Sequence, residues 1–303
     1  MFRRKKAQAT TMRPYAYDSR MMMVMCDGKH FRAGDSRVKR VALFFIDDAT
    51  RYVLDVAVGS SESTSLFLRG LYSVVSRFGL MDALYMDRGP GFFSDDSKAV
   101  MASLELPFIY GRKGYPEGRG KIERFNGTVT QDLLRGLQKP TIDPSYESLE
   151  LRLRHYIHNR YNTRFNEGVE GVPQVLFTND PKPLNIPDHD ELTKSFILTD
   201  YRKVRRDNVI LNDSIAYEVP LGYAGRYIQI FRCLLSDQIF MRHKDVSIKL
   251  QPADLAANTR NRSPHIRESR SNQPKPITTA AELDFNRSFS PIVDHDGGYP
   301  VNK

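Results

Sequence analysis

Short apolar runs, each closed by a polar turn or an acidic residue, alternate with stretches of helical period along the first two thirds of the chain. The run M-M-M-V-M suits a strand that ends on Asp27 in M-C-D-G-K-H-F. A second run, Val41 to Val58, breaks at D-D-A-T and resumes, which predicts a hairpin. From Glu62 to Phe78 the apolar residues Leu66, Phe67, Leu71, Val74, Val75 and Phe78 recur as on one face of a helix. A-L-Y-M then predicts a strand ending at Asp87, Ser94 to Leu104 a short helix, and L-P-F-I-Y (Leu106 to Tyr110) a buried strand. From Gly120 to Leu137 the pattern is again helical, with Glu123 early and Phe125, Val129, Leu133, Leu134 and Leu137 facing a core. K-P-T-I-D-P interrupts it before a further helical stretch, Ser148 to Asn162, and a proline-started turn at Gly171 to Phe177.

The pattern then changes. Residues 179–195 open with a polar, proline-rich linker, N-D-P-K-P-L-N-I-P-D-H-D. Short β-branched runs separated by Gly, Asn and Asp follow, such as N-V-I-L-N-D-S-I-A-Y-E-V and R-Y-I-Q-I-F-R, and predict a small all-β domain over 196–252. Beyond it the tail, 253–303, is rich in proline, serine and scattered charge, a composition that predicts disorder. The expected order is therefore a basic extension (1–20), an α/β core (21–178), a linker (179–195), an all-β domain (196–252) and a tail.

With 303 residues and 40% hydrophobic content, the chain can bury one sizeable core and a small extra domain. Its formal net charge of +9 suits a polyanionic partner. The distribution sharpens this: residues 1–20 carry six basic groups against Asp18, and Arg112, Lys113, Arg119, Lys121 and Arg124 crowd the approach to Glu123. Arg202, Lys203, Arg205 and Arg206 give the β-domain a basic edge. Such residues hold phosphates without reading sequence. Cys26 and Cys233 fit neither a disulfide framework nor a zinc site, which favours a reducing compartment. No apolar stretch is long enough to span a membrane, and the basic start lacks a signal-peptide core, so the expected setting is cytoplasmic, on the nucleoid. His155 and His158 lie three apart but have no visible third partner, so helix surface or packing accounts for them.

The chemistry rests on three carboxylates, Asp27, Asp87 and Glu123, with 35 residues between the last two. Acids at strand ends and on the first turn of a helix can converge although distant in sequence. Mg2+ takes oxygen ligands in near-octahedral geometry, and Mn2+ is an alternative; a few carboxylates plus substrate phosphate oxygens complete such a shell. Two such ions stabilise both the attacking and the leaving oxygen of an in-line displacement at phosphorus. No Ser/His/Asp arrangement is readable.

The segments D-G-K-H-F, F-F-I-D-D-A-T-R-Y, M-D-R-G-P-G-F-F-S and K-G-Y-P-E-G-R-G-K-I-E-R-F-N together resemble the DDE transposase and retroviral integrase superfamily, over about Met21 to Pro252. The resemblance is closest to bacterial transposases that join an integrase catalytic core to a Mu-type C-terminal barrel. It implies an RNase H-like integrase core with a mixed five-stranded sheet plus a small all-β barrel, with Asp27, Asp87 and Glu123 as the catalytic, metal-holding triad. It further implies 3′-end cleavage and strand transfer on double-stranded DNA at element ends and target, homo-oligomers on DNA, and a helper ATPase or a separate end-recognition protein. Two features depart from the pattern: no helix-turn-helix region precedes the core, and Met25 and Cys26 stand where relatives often have a tryptophan. A non-catalytic DNA-binding or assembly remnant and an RNase H-like nuclease are the alternatives.

Overall fold

A computed structural model describes residues 17–87, 89, 91–111, 119–244 and 246–254. The expectations for Arg112, Lys113, most of the N-terminal extension and nearly all of the tail lie outside these residues. So does the side chain of Arg119.

The core is a five-stranded mixed sheet. Strands β1 (Val24–Ala33), β2 (Val38–Asp47) and β3 (Val53–Gly59) form an antiparallel meander, and β4 (Leu84–Met86) and β5 (Phe108–Tyr110) extend it, giving the order β3-β2-β1-β4-β5. β4 runs parallel to β1, and β5 parallel to β4. This order, with helices on both faces, is the RNase H-like core that the resemblance implied.

Strand periodicity explains how one sheet serves two cores. Val41, Leu43 and Phe45 of β2 enter one cluster, whereas Ala42, Phe44 and Ile46 enter the other. Buried on both faces, β2 and β3 read as continuous apolar runs. The first cluster is covered by α1 (Thr64–Phe78) and α2 (Asp95–Ser103). The second is covered by α3 (Arg119–Asp132), a 3-10 turn at Leu134–Leu137 and α4 (Tyr146–Tyr156). Phe125 of α3 packs edge-on against Phe44 at 4.8 Å, where such contacts add to simple burial.

Local chemistry sets the helix ends. Ser63 caps α1 by accepting from the Leu66 amide at 3.2 Å, and Gly79, at φ 86°, closes it with its N–H on the Val75 carbonyl. Helix α1 therefore starts after Glu62, not at it. Ser94 caps α2, whose first turn carries Asp95 and Asp96. Ser145 caps α4, and the chain continues from it into a single π turn, Ile157–Tyr161. Pro173 opens α5 (Pro173–Asn179).

The expected linker is partly ordered against the core. Leu80 and Asn185 form a β-bridge, and α6 (His189–Ser195), capped by Asp188, buries Leu192 in the first cluster. Composition concealed this because its few apolar residues, Leu184, Ile186 and Leu192, are scattered among polar ones.

Beyond α6, β6 (Ile197–Lys203), β9 (Tyr227–Cys233), β10 (Gln238–His243) and β11 (Val246–Lys249) form an antiparallel sheet in the order β11-β10-β9-β6. β7 (Val209–Asn212) and β8 (Ile215–Glu218) make a separate two-stranded ladder. Ile210 and Val219 join Ile228, Ile230, Ile239 and Met241 in a third core. The described residues up to Ala253 form one compact unit. Arg232 of β9 holds Asp96 of α2 at 2.8 and 3.2 Å, and the Leu234 amide donates to the Phe196 carbonyl.

Candidate active site

Asp27 does not end its strand, as the apolar run suggested; β1 continues through it to Ala33, paired with β2. The shorter neighbour is β4, whose pairing with β1 stops at Cys26 and Met86. Asp27 and Asp87 are thus the next residues on two adjoining parallel strands, which lie roughly 4.8 Å apart. Their direction follows from period two. Met25 packs in the second cluster and Tyr85 against it, so Asp27 and Asp87 also point toward the α3 side of the sheet.

Helix α3 meets them there. Asn126 is buried, and its Nδ2 donates to Asp27 Oδ2 at 2.7 Å, while its Oδ1 is buried without a partner. Burial, with Asp87 and Glu62 adding repulsion, pushes the Asp27 carboxyl up to about 6 against the pull of the Asn126 hydrogen bond. Asp87 accepts from the Gly89 amide at 2.8 Å.

Glu62 is the residue that sequence reasoning missed. It lies in the turn before α1, and its carboxylate occupies space that any side chain at Gly28 would fill. A Cβ at Gly89 would stand 3.2 Å from Glu62 Oε2 and 3.0 Å from Asp87 Oδ1. Glycines at 28 and 89 thus let Glu62 reach the edge of the sheet from the α1 side, close enough to add repulsion at Asp27, with His30 Nε2 at 3.1 Å from its Oε1. The glycine of D-G-K-H-F, immediately after the acid, was the available signal.

Glu123 stands one turn before Asn126 on α3 and is exposed. Among the described residues, no group of three or more His, Cys, Asp and Glu side chains is arranged to hold a metal ion. Asp27 and Asp87 are brought together; Glu123 is on the adjoining helix but outside the cluster. The site still suits a divalent cation chemically. Its donors are carboxylate oxygens, burial and then the neighbouring negative charges hold Asp27 up in the absence of a cation, and the orphaned Asn126 Oδ1 is another oxygen donor.

The basic residues divide. Lys121 gives its ammonium to both oxygens of buried Asp48, at 2.7 and 2.8 Å, so its charge is committed inside the fold. Arg124 is exposed on the next turn. Arg202 pairs with Asp200 at 2.6 Å. Lys203, Arg205 and Arg206 line an open groove of about 640 Å³ with Val204, Leu211 and Gly225.

Residues 20–116 match the integrase core domain family. The transposase for transposon Tn552 of Staphylococcus aureus is 26% identical over 164 residues, 50% of this chain and 34% of that protein. Over residues 20–116 the chain is thus similar to integrase cores, and its similarity to a transposase rests on the Tn552 match. The match spans about a third of the length of that transposase. Among solved structures, a simian T-cell lymphotropic virus intasome in complex with PP2A regulatory subunit B56 gamma is 15% identical, with 82% of each chain covered and a TM-score of 0.48. The magnesium complex of the HTLV-2 integrase catalytic core in its trimeric form is also 15% identical, covering 55% of this chain and 99% of the other, with a TM-score of 0.43. The BIV integrase catalytic core is 16% identical, with 52% and 94% covered and a TM-score of 0.40.

Proposed function

We propose that this chain is the catalytic part of a DNA transposase, cleaving the 3′ ends of a mobile element and joining them to target DNA. The observation that carries the reading is the placement of Asp27 and Asp87 on adjoining parallel strands, with Glu123 one turn from the asparagine that grips Asp27. In the first step a water oxygen attacks the phosphodiester at the element end, and the bond to the departing 3′-oxygen breaks to leave a 3′-OH. In the second that 3′-OH attacks a target phosphodiester, forming the new P–O bond as the target's own 3′-oxygen leaves.

Asp27, Asp87 and Glu123 would hold Mg2+ or Mn2+, which when bound supplies charge for the attacking and leaving oxygens. The protein's own contributions are positional. Asn126 fixes one oxygen of Asp27, and Gly28 and Gly89 keep the floor of the site open for Glu62. Arg112, Lys113, Arg119, Lys121 and Arg124 form the proposed basic approach for phosphates, with Lys121 acting through its hold on Asp48. Lys203, Arg205 and Arg206 of the β-domain, and Arg202 beside them, extend the DNA surface. Joining two ends requires two active sites, so the working form is a homo-oligomer on nucleoid DNA, with end recognition or ATP-driven help from a separate protein. Among the described residues no helix is long and apolar enough to cross a membrane.

The test is a strand-transfer assay with labelled element ends, supercoiled target and Mg2+ or Mn2+. Joined products from the wild type and none from Asp87→Ala are expected. Hydrolysis without joining would favour the nuclease. DNA binding without either reaction would favour the non-catalytic reading, for which the exposed position of Glu123 is the supporting observation.

A further inference from the structure

The outer face of the four-stranded sheet is neither packed into the third core nor used by the candidate active site. Period two places Ile228, Ile230, Ile239 and Met241 inward, so the alternate residues of β6, β9 and β10 face out. Tyr201 lies opposite Gln229, and Lys203 opposite Tyr227. Tyr227 is 71% exposed and Tyr201 63%, values unusual for side chains of this size in a folded sheet. The next row on the same face runs Thr199, Phe231, Phe240, Lys249 across all four strands. Arg242 follows it on β10, and the strand residues of this face include no carboxylate.

At the Lys203 end the face opens into the groove lined by Lys203, Arg205 and Arg206. Aromatic rings and a one-sign groove are thus continuous through a single lysine. A ligand that fits both must be a polyanion that offers flat, unsaturated faces. Duplex DNA satisfies the groove but hides its base faces in the stack. A single strand satisfies both, its backbone following the cations and its bases stacking on the tyrosines.

We propose that this sheet face binds single-stranded DNA, with Tyr201 and Tyr227 as the stacking platform and Lys203, Arg205 and Arg206 as the backbone track. In the proposed reaction, strands unpaired at a cleaved element end are the source of such a ligand. The inference rests on the reading that the chain works on DNA but requires no catalysis.

The experiment measures fluorescence anisotropy of a labelled oligothymidine and of a duplex of equal length, about 20 nucleotides, with full-length protein and no divalent metal. Tyr201→Ala/Tyr227→Ala is expected to weaken single-strand binding by at least about tenfold while changing duplex affinity less than about twofold. Lys203→Ala/Arg205→Ala/Arg206→Ala is expected to weaken both and to flatten their salt dependence. Urea unfolding of each variant separates lost binding from lost folding; if the alanine pair unfolds, Tyr201→Phe/Tyr227→Phe must retain single-strand affinity. Equal losses on duplex and single strand, or no loss on single strand, would overturn the stacking platform. Strand transfer that survives such a result leaves the transposase reading intact, whereas failure to bind either DNA sinks both. A variant that changes only self-association, seen by sedimentation, would assign the face to a second copy of the chain and also overturn the proposal.

Discussion

Replacing Asp27 by asparagine should make the protein more stable while removing its activity. The Asp27 carboxyl stands at about 6 in the fold against 3.8 as its ordinary value, with burial the largest cause. The sign follows from linkage: between those two values the folded state holds a proton that the unfolded chain has lost, so rising pH favours unfolding. The lost stability is small below pH 3.8 and reaches its full size above about pH 6. A difference of about two units is worth about 3 kcal/mol at pH 7.5 and about 1 kcal/mol at pH 4.5. Asparagine has the same shape, carries no charge and can still accept from Asn126 Nδ2. Urea unfolding without divalent metal should therefore give Asp27→Asn a higher midpoint at pH 7.5, with the advantage shrinking by roughly two thirds at pH 4.5. Added Mg2+ should raise the wild-type midpoint and leave the variant where it was. A variant destabilised equally at both pH values would show that Asp27 is a structural acid satisfied by its neighbours, and would refute the argument.

Three further outcomes test the surroundings. Asn126→Ala removes the hydrogen bond that holds Asp27 down, so the Asp27 titration followed by carboxyl NMR should move upward, and the acid limb of any pH–rate profile with it. Asp55, buried and held by Arg154 at 2.9 Å and by Ser73 and Arg77, ties α1 to α4; Asp55→Ala leaves Arg154 with Glu150 as its remaining acid and Arg77 facing solvent, and should cost about 1–3 kcal/mol in urea unfolding. Lys121→Met leaves buried Asp48 with Arg51, at 3.6 Å, as its remaining ion-pair partner among the described residues and should lower stability clearly, whereas Arg124→Ala should leave stability within about 0.5 kcal/mol and reduce the salt slope of DNA binding by about 1.

Much of this fold is legible in the hydrophobic pattern because its central strands are buried on both faces. Val41 to Val58 could be read as a hairpin from its D-D-A-T break, and the helix after it from Leu66, Phe67, Leu71, Val74 and Val75. The boundaries were less legible, since they depend on side-chain caps: Ser63 starts α1 two residues later than periodicity suggested. The pattern places a strand end at Asp27 because the polar residues after it look like a turn. They form a strand edge beyond the reach of β4, which is a tertiary fact. Glu62 was invisible for the same kind of reason. Its approach to Asp27 depends on two glycines from different elements, and no local window contains all three. Lys121 shows the converse, a basic residue in the expected cluster whose charge is consumed by an acid 73 positions away.

The exposure of Glu123 turns the three acids into a testable pair of opposites. Helix α3 is fastened by Asn126 on Asp27, by Lys121 on Asp48 and by Phe125 between Phe44 and Tyr161, so the helix cannot slide without breaking these contacts. If Glu123 completes the metal site as proposed, it does so by moving its own flexible side chain. Holding the third carboxylate in water spares the unliganded protein a further like charge beside a carboxyl already pushed up to about 6. On this argument Glu123→Gln, unlike Asp27→Asn, leaves the metal-free stability within about 0.5 kcal/mol at every pH from 4.5 to 7.5, yet abolishes strand transfer. Mg2+ stabilisation measured by thermal shift should fall without vanishing, because the two aspartates remain. If Glu123→Gln instead stabilises the metal-free protein as much as Asp27→Asn does, the glutamate already shares the buried cluster. If it retains full strand transfer, Glu62 becomes the third acid to replace.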